Sequence, residues 1–245
     1  VTKFSHIHFP ASRDAELRIR KLGERPECIF RVGCPRIDLV KDVINEYHSN
    51  ENSYNIIKLG VGDPIDIDKP FILVSQHPVT TEYGGGEREI NSTLTAVRRA
   101  GLPAIILWPN PDAGSDDIAR GIRKWREEKK AANMHFFKNL PINTYIRLMK
   151  KTTCLVGNSS SGVREGAFIG TPAVNIGSRQ ESRERGKNII DVGHDTEEIL
   201  EAIMKQKRHG PYELDDLYGD GHAGERIAKT LENLPKIDVQ KRITY

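Results

Sequence analysis

Three cysteines in 245 residues are too few, and at Cys28, Cys34 and Cys154 too scattered, for a disulfide framework or a zinc knuckle. They read as small core residues or idle thiols. No window approaches 18 consecutive apolar residues and no charged-then-apolar leader opens the chain, so the expectation is neither a membrane span nor a secretion signal, and a cytosolic protein. Charged residues make up 29% of the chain, yet the formal net charge is only +3. The basic stripe of a nucleic-acid binder is lacking, and no nucleic-acid partner is expected. There is no GxxxxGKS or GxxxxGKT phosphate loop, and Gly84, Gly85 and Gly86 do not form GxGxxG and do not directly follow a strand; they read as a hinge or lid. No internal repeat or low-complexity tract occurs, and neither a metal nor a cofactor is expected.

What is present centres on Leu155–Gly166, LVGNSSSGVREG. An apolar run reads as a short buried strand that stops at Gly157 and Asn158, residues that tolerate positive φ. Three serines and Gly162 follow. Small residues let backbone amides approach a ligand, and a helix beginning here turns its free N–H groups toward an anion, which makes a phosphate seat. Glu165 lies about one and a half helical turns beyond Ser159, placed to accept hydrogen bonds from sugar hydroxyls. A serine N-cap followed by a surface acid is the competing reading.

The chain opens at Val1 in what reads as a strand, suggesting part of a longer protein. A helix is expected over about Ala11–Leu22, a strand over Cys28–Val32 and a helix over Ile37–Tyr47. The polar stretch His48–Lys69 reads as a linker at a domain boundary. From Pro70 strands alternate with helices: FILVSQ, a helix over about Glu87–Ala100, PAIILW, a helix over about Ser115–Glu128, MHFF, a helix over Asn143–Lys150, CLVG, the serine loop with its helix, and PAVNIG. Further helices are expected over Asp195–Lys205 and Ala223–Leu234. This order predicts an α/β, doubly wound parallel sheet whose ligand sits beyond the carboxyl ends of the strands.

The residues just after each strand therefore matter most. His77 follows FILVSQ beside Pro78 and ahead of Thr80 and Thr81, where it can donate to a phosphate or move a proton. After PAIILW, Pro109–Gly114 reads as a stiff turn with Asp112 capping the next helix and Asn110 free to face a ligand. After MHFF, the main chain around Leu140 can read the polar edge of a base, with Lys138 solvated. After PAVNIG, Arg179 suits a bidentate grip on phosphate, while Arg183 and Arg185 serve equally as surface charges. The run from Arg120 to Lys130 reads as the solvated face of a helix.

SQHPVTTE (Ser75–Glu82), WPNPDAGS (Trp108–Ser115), GNSSSGVREGAFIGTPAVNIGSRQ (Gly157–Gln180) and YGDG (Tyr218–Gly221) together resemble the hydrolysing UDP-N-acetylglucosamine 2-epimerases. That family includes bacterial enzymes of sialic-acid-type synthesis and the epimerase half of the bifunctional animal epimerase/ManNAc kinase. The resemblance implies a GT-B fold of two Rossmann-like domains, here divided as the end of the amino-terminal domain (1–38), an inter-domain helix and linker (39–69), the UDP-binding domain (70–213) and a carboxy-terminal helix and tail (214–245). It implies His77 near the glycosidic phosphate, Asn110 by the diphosphate, Leu140 main chain on the uracil, Ser159 and Ser160 on phosphate, Glu165 on the ribose and Arg179 on the nucleotide. The implied ligands are UDP-GlcNAc or UDP, the implied assembly a dimer or tetramer. The implied reaction eliminates UDP through 2-acetamidoglucal and adds water at C1 to give ManNAc. In this family carboxylates in motifs resembling HGDR and EGG move the C2 proton, and neither motif occurs here, so a chain of this length is expected to bind UDP without turnover. Arg120 and Arg123 align with a helix of the animal enzyme's CMP-sialic acid feedback site, from whose basic pattern Asp116 and Asn139 depart. A GT-B glycosyltransferase and an epimerase of UDP-2,4-diacetamido sugars are the rival functions.

Overall fold

Strands alternate with helices along most of the chain, and their pairing gives a single sheet. The computed structural model describes residues 1–46, 60–82, 84–128, 130–234 and 240–241. Strands β1 (Val61–Gly62), β2 (Ile72–Ser75), β3 (Ala104–Leu107), β4 (Met134–Phe137), β5 (Cys154–Gly157), β6 (Ala173–Ile176) and β7 (Ile189–Val192) lie in the order β1-β4-β3-β2-β5-β6-β7. All neighbours from β4 to β7 pair in parallel, whereas β1 joins β4 antiparallel. Setting β1 aside, the order is doubly wound: the chain moves outward from β2 to β4, returns to the middle and moves outward again from β5 to β7. The reversal falls between β2 and β5, which pair with Ser75 opposite Gly157. The loops after these two strands diverge at that point and leave a crevice.

The apolar runs are buried on both faces because helices cover both. Ile72, Val74, Ile106, Val156 and Val174 meet helices α3 (Gly86–Arg99), α4 (Ser115–Glu127) and α8 (Thr196–His209). Leu73, Ile105, Phe137 and Leu155, one residue out of phase, meet α2 (Pro35–Asn45), α5 (Ile142–Lys151), and the short helices α6 (Ser160–Val163) and α7 (Glu165–Ile169). Helical spacing supplies the matching faces, as in Ile90, Leu94 and Val97 of α3 and Ile118, Ile122 and Trp125 of α4. Among the described residues no helix is long and apolar enough to cross a membrane.

Helix α2 reaches the sheet's second face through contacts distant in sequence. Gly33 (φ +92°) and Gly219 (φ +123°) cross so closely that a Cβ on either would lie 3.0 Å from the other's Cα, and Cys34 N–H donates to the Tyr218 carbonyl at 2.8 Å. The Asp38 carboxylate accepts from the amides of Ala223 and Gly224 at the start of α9 (Ala223–Glu232). It thereby caps a helix 185 residues away in the chain.

Several expectations change. The strand expected at Val1–Phe9 is a 3-10 turn over Thr2–Phe4, and the one expected at Cys28–Val32 becomes a 3-10 turn over Pro26–Cys28, with a single parallel bridge between His8 and Ile29. Loose alternation next to prolines does not make a strand without a neighbour to pair with. Strand β7, absent from the expected order, is a four-residue edge strand of mixed burial whose pairing with β6 defines it. The helix after the serine loop breaks at Arg164 (φ −95°, ψ −69°) into α6 and α7. Gly86 opens α3, so the triple glycine is partly helix. Helix α1 (Arg13–Lys21) lies within the expected Ala11–Leu22, with Ser12 as its N-cap and Ser12 Oγ accepting from Ala15 N–H. Most of the expected linker, residues 48–59, and Tyr47 at the end of the expected second helix lie outside the described residues.

Gly157 carries φ +132°, and a Cβ there would stand 2.2 Å from the Ser75 carbonyl oxygen. Gly157→Ala is expected to lower unfolding free energy by about 2–4 kcal/mol, combining strained backbone with a clash inside the sheet. Urea unfolding of the two proteins measures the difference.

Candidate functional site

A cavity of about 360 Å³ opens at the β2/β5 reversal point. Six of the seven residues expected to act together line it: His77, Asn110, Leu140, Ser159, Ser160 and Glu165. They come from the ends of four different strands, which the parallel sheet delivers to one edge.

His77 is held more firmly than its sequence context suggests. The Asn158 side chain accepts from His77 N–H at 2.7 Å and donates to the His77 carbonyl at 2.8 Å. Asn158 is 1% exposed; its own amide donates to the Ser75 carbonyl, and its carbonyl accepts from the Gln180 side chain at 2.8 Å. One amide group thus reads both backbone polar groups of the residue it positions. The sequence reading took Asn158 as a residue tolerant of positive φ, yet the positive angle belongs to Gly157 and not to Asn158. Asn158 is a clamp between the two loops.

The His77 ring accepts at Nδ1 from Asn110 N–H (3.1 Å), which leaves the proton of the neutral ring on Nε2, 3.3 Å from Ser75 Oγ. Burial, reinforced by the Arg179 guanidinium and opposed by Asp112, pushes the imidazole down to about 4. At neutral pH the ring is therefore uncharged.

The serine loop forms a small network. Ser159 Oγ caps α6 by accepting from Ser161 N–H, and Ser161 Oγ bonds both Ser159 Oγ (2.8 Å) and Tyr145 Oη (2.6 Å). The amides of Ser159 and Ser160 make no hydrogen bond to a described residue. Helix α6 is only four residues long, so these two amides and the hydroxyls outweigh any long helix dipole. Glu165 is 4% exposed, with Arg36 3.4 Å from Oε1 and Arg164 3.5 Å from Oε2, the latter buried and without a hydrogen bond.

Arg179 stands apart from the other six. It does not line the cavity; its guanidinium pairs with Asp112 at 3.2 Å and contacts the Asn158 carbonyl at 3.4 Å. Asp112 consequently does not cap α4, whose N-cap is Gly114 in left-handed geometry. Leu140 N–H is already bonded to the Asn139 side chain at 2.9 Å. Arg185 pairs with Asp191, and Arg183 is exposed. The solvated-face reading of Arg120 and Arg123 misses that Arg120 is paired with Asp117 and that Arg123 lies 5.9 Å over the ring of Trp108, a cavity residue.

Sequence reasoning missed Arg36, Tyr145 and Arg164, which line the cavity together with Ser161, the third serine of the loop. Arg164 adjoins Glu165 and was within reach of the motif. Arg36 was not, because only the α2 packing brings it there. The carboxylate lining the cavity is Glu165 alone among the described residues. A second group, Glu82, Glu89 and His194, lies outside the cavity with ligand atoms close enough to hold a cation.

The family model described as UDP-N-acetylglucosamine 2-epimerase matches residues 1–232. The chain is 31% identical over 235 residues to UDP-N,N'-diacetylbacillosamine 2-epimerase (hydrolyzing) of Legionella pneumophila, covering 96% of this chain and 59% of that protein. It is 30% identical over 247 residues to UDP-N-acetylglucosamine 2-epimerase of Neisseria meningitidis, covering 99% and 62%. The chain thus spans about three fifths of the length of these curated relatives. The crystal structure of the Neisseria meningitidis enzyme bound to UDP-GlcNAc superposes with a TM-score of 0.73 at 17% identity, covering 94% of this chain and 62% of that one. The Methanocaldococcus jannaschii enzyme in complex with UDP-GlcNAc and UDP gives 0.70 at 16%, covering 93% and 61%. The fold class is therefore the expected α/β, GT-B type.

Because His77 is buried neutral with a pKa well below the ordinary 6.5, the unfolded chain binds more protons between about pH 6.5 and 4. Stability contributed by His77 is complete above 6.5 and falls as the pH drops toward 4, by about 1.4 kcal/mol per unit and on the order of 3 kcal/mol in all. His77→Gln is expected to flatten that part of the profile. NMR titration of the His77 ring should show no inflection near 6.5.

Proposed function

The chain belongs to the UDP-N-acetylglucosamine 2-epimerase family, and from that premise we propose that the cavity at the β2/β5 reversal holds the uridine diphosphate of a UDP-2-acetamido sugar. The observation that carries the reading is the buried Glu165 Oε2, without a hydrogen bond, lining the same cavity as the two uncommitted amides of the serine loop and His77. A carboxylate oxygen without a hydrogen bond suits the vicinal hydroxyls of a ribose, and free N–H and O–H groups suit phosphate oxygens.

In this reading Ser159 and Ser160 take the diphosphate, and Asn110 stands beside it. Leu140 meets the uracil through its carbonyl, or through its N–H once Asn139 lets go. Arg179 supplies positive charge from behind Asn158 unless a bound phosphate draws it from Asp112. The diphosphate also changes His77. Negative charge against the ring raises its proton affinity, so the imidazole gains the capacity to protonate the departing phosphate oxygen only when nucleotide is bound.

The whole protein then catalyses a hydrolysing 2-epimerisation. The C2 proton is removed as the C1–oxygen bond breaks and UDP leaves with the bonding pair. Water adds at C1 of the 2-acetamidoglucal, and a proton returns to C2 on the opposite face, giving ManNAc for sialic-acid or related nonulosonate synthesis. Both proton steps at C2 need carboxylates, and Glu165, held by two arginines, is committed to binding. A UDP-2,4-diacetamido sugar is a second candidate substrate, supported by the name of the Legionella pneumophila relative.

Titration calorimetry with UDP is expected to show one site on the 245-residue chain. Glu165→Gln should weaken it about 10- to 100-fold, the worth of hydrogen bonds to a charged acceptor. Absence of heat at millimolar UDP would refute the nucleotide reading. The same chain is expected not to turn over UDP-GlcNAc, and a normal enzymatic rate would refute that. For the longer protein, NMR of the reaction in deuterated water should place deuterium at C2 of free ManNAc.

A further inference from the structure

Behind the loop that carries His77 lies a second cavity of about 260 Å³, and its charge balance differs from the first. Glu82, Glu89, Asp116 and Asp117 line it against a single cation, Arg120. Arg120 is already engaged, 3.2 Å from Asp117 and 3.9 Å from Glu87, so it does not neutralise the remaining carboxylates.

Glu89 is the telling residue. It projects from the first turn of α3, is 7% exposed, and its carboxylate makes no hydrogen bond or ion pair with a described residue. A carboxylate placed this way is open to a positive partner. His194, from the loop after β7, is its neighbour, and both ring nitrogens of His194 are buried without a hydrogen-bond partner. One ligand atom each from Glu82, Glu89 and His194 lie within 4.8 Å of one another.

Two stretches distant in sequence, one carrying Glu82 and Glu89 and the other His194, thus bring two carboxylates and an imidazole to one point. The backbone is shaped to leave these groups room. A Cβ at Gly85 would stand 2.5 Å from Glu89 Oε1, and one at Gly177 would stand 2.5 Å from His194 Nε2. Glu82 is steadied by Ser178 Oγ, which donates to its Oε1.

We propose that Glu82, Glu89 and His194 form a binding site for a divalent first-row cation of the zinc type. One imidazole nitrogen and two carboxylate oxygens are a borderline donor set suited to Zn²⁺ or Co²⁺ and ill suited to Mg²⁺, which prefers oxygen and water. Three protein ligands leave a fourth position to water. The cation ties the loop after β2 to the start of α3 and to the far edge of the sheet. Because Pro78 lines this cavity while its neighbour His77 lines the other, the ion braces the segment from which His77 projects without touching the nucleotide site.

The test uses the untagged chain stripped with chelator and dialysed against Zn²⁺ or Co²⁺. About one equivalent is expected to remain bound, raising the melting temperature and, for Co²⁺, giving visible d–d absorption. Glu89→Gln and His194→Ala should each weaken binding roughly tenfold or more, the least expected for loss of a direct ligand. Without metal, Glu89→Gln should melt no lower than the parent, since the carboxylate it replaces holds no partner among the described residues. In the unaltered protein, the His194 ring nitrogen resonances should shift on adding Zn²⁺, a readout that requires no variant. Less than one equivalent bound, undisturbed His194 resonances, or equal retention by both variants would mean an adventitious ion only and overturn the site.

Discussion

The structure depends on the parallel contact between β2 and β5 and on the amide that fastens the loops beyond them. Ser75 and Gly157 end the two strands opposite each other, and the next residue on β5's side, Asn158, takes both backbone polar groups of His77. A buried N–H and C=O that would otherwise go unpaired are satisfied by one side chain, so the clamp is required by solvation as much as by geometry. It also fixes the distance between a proton-carrying ring and the serine loop.

From that contact the rest of the site follows in layers. The cavity lies where the winding of the sheet reverses, so no helix crosses over it, and the ends of four strands are free to contribute residues. Around the clamp the electrostatics are divided. Arg179 and Asp112 neutralise each other at the edge; burial and Arg179 depress the basicity of His77 while Asp112 opposes them, and Arg36 and Arg164 flank Glu165 without satisfying its inner oxygen. The result is a pocket whose polar groups are held in place yet partly uncommitted, as a binding site for a polyol phosphate requires.

The part of the chain before residue 47 matters to this pocket although it adds no named strand. Helix α2 is packed on α5, α7 and α9, the crossing of Gly33 with Gly219 sets its height, and Asp38 locks it to α9. Arg36 reaches Glu165 because of that packing. Glu165 is thus oriented by residues from both ends of the described chain.

The sequence by itself determined the alternation of strands and helices from Pro70 onward, because short, mostly apolar runs set off by Gly, Pro and Asn have few other fates. It also led to the expectation that residues just beyond the strand ends would come together, and His77, Asn110, Leu140, Ser159, Ser160 and Glu165 do meet in one cavity. Only the tertiary structure decided which strands are neighbours, and hence that β7 exists, that Arg179 faces Asp112 and that Arg36 faces Glu165. The Arg179–Asp112 contact spans 67 residues and the β6–β7 pairing 16, separations that no local periodicity encodes. Asn158 shows the difference most plainly: its residue type suits a turn, and only the position of His77, 81 residues earlier, makes it a clamp.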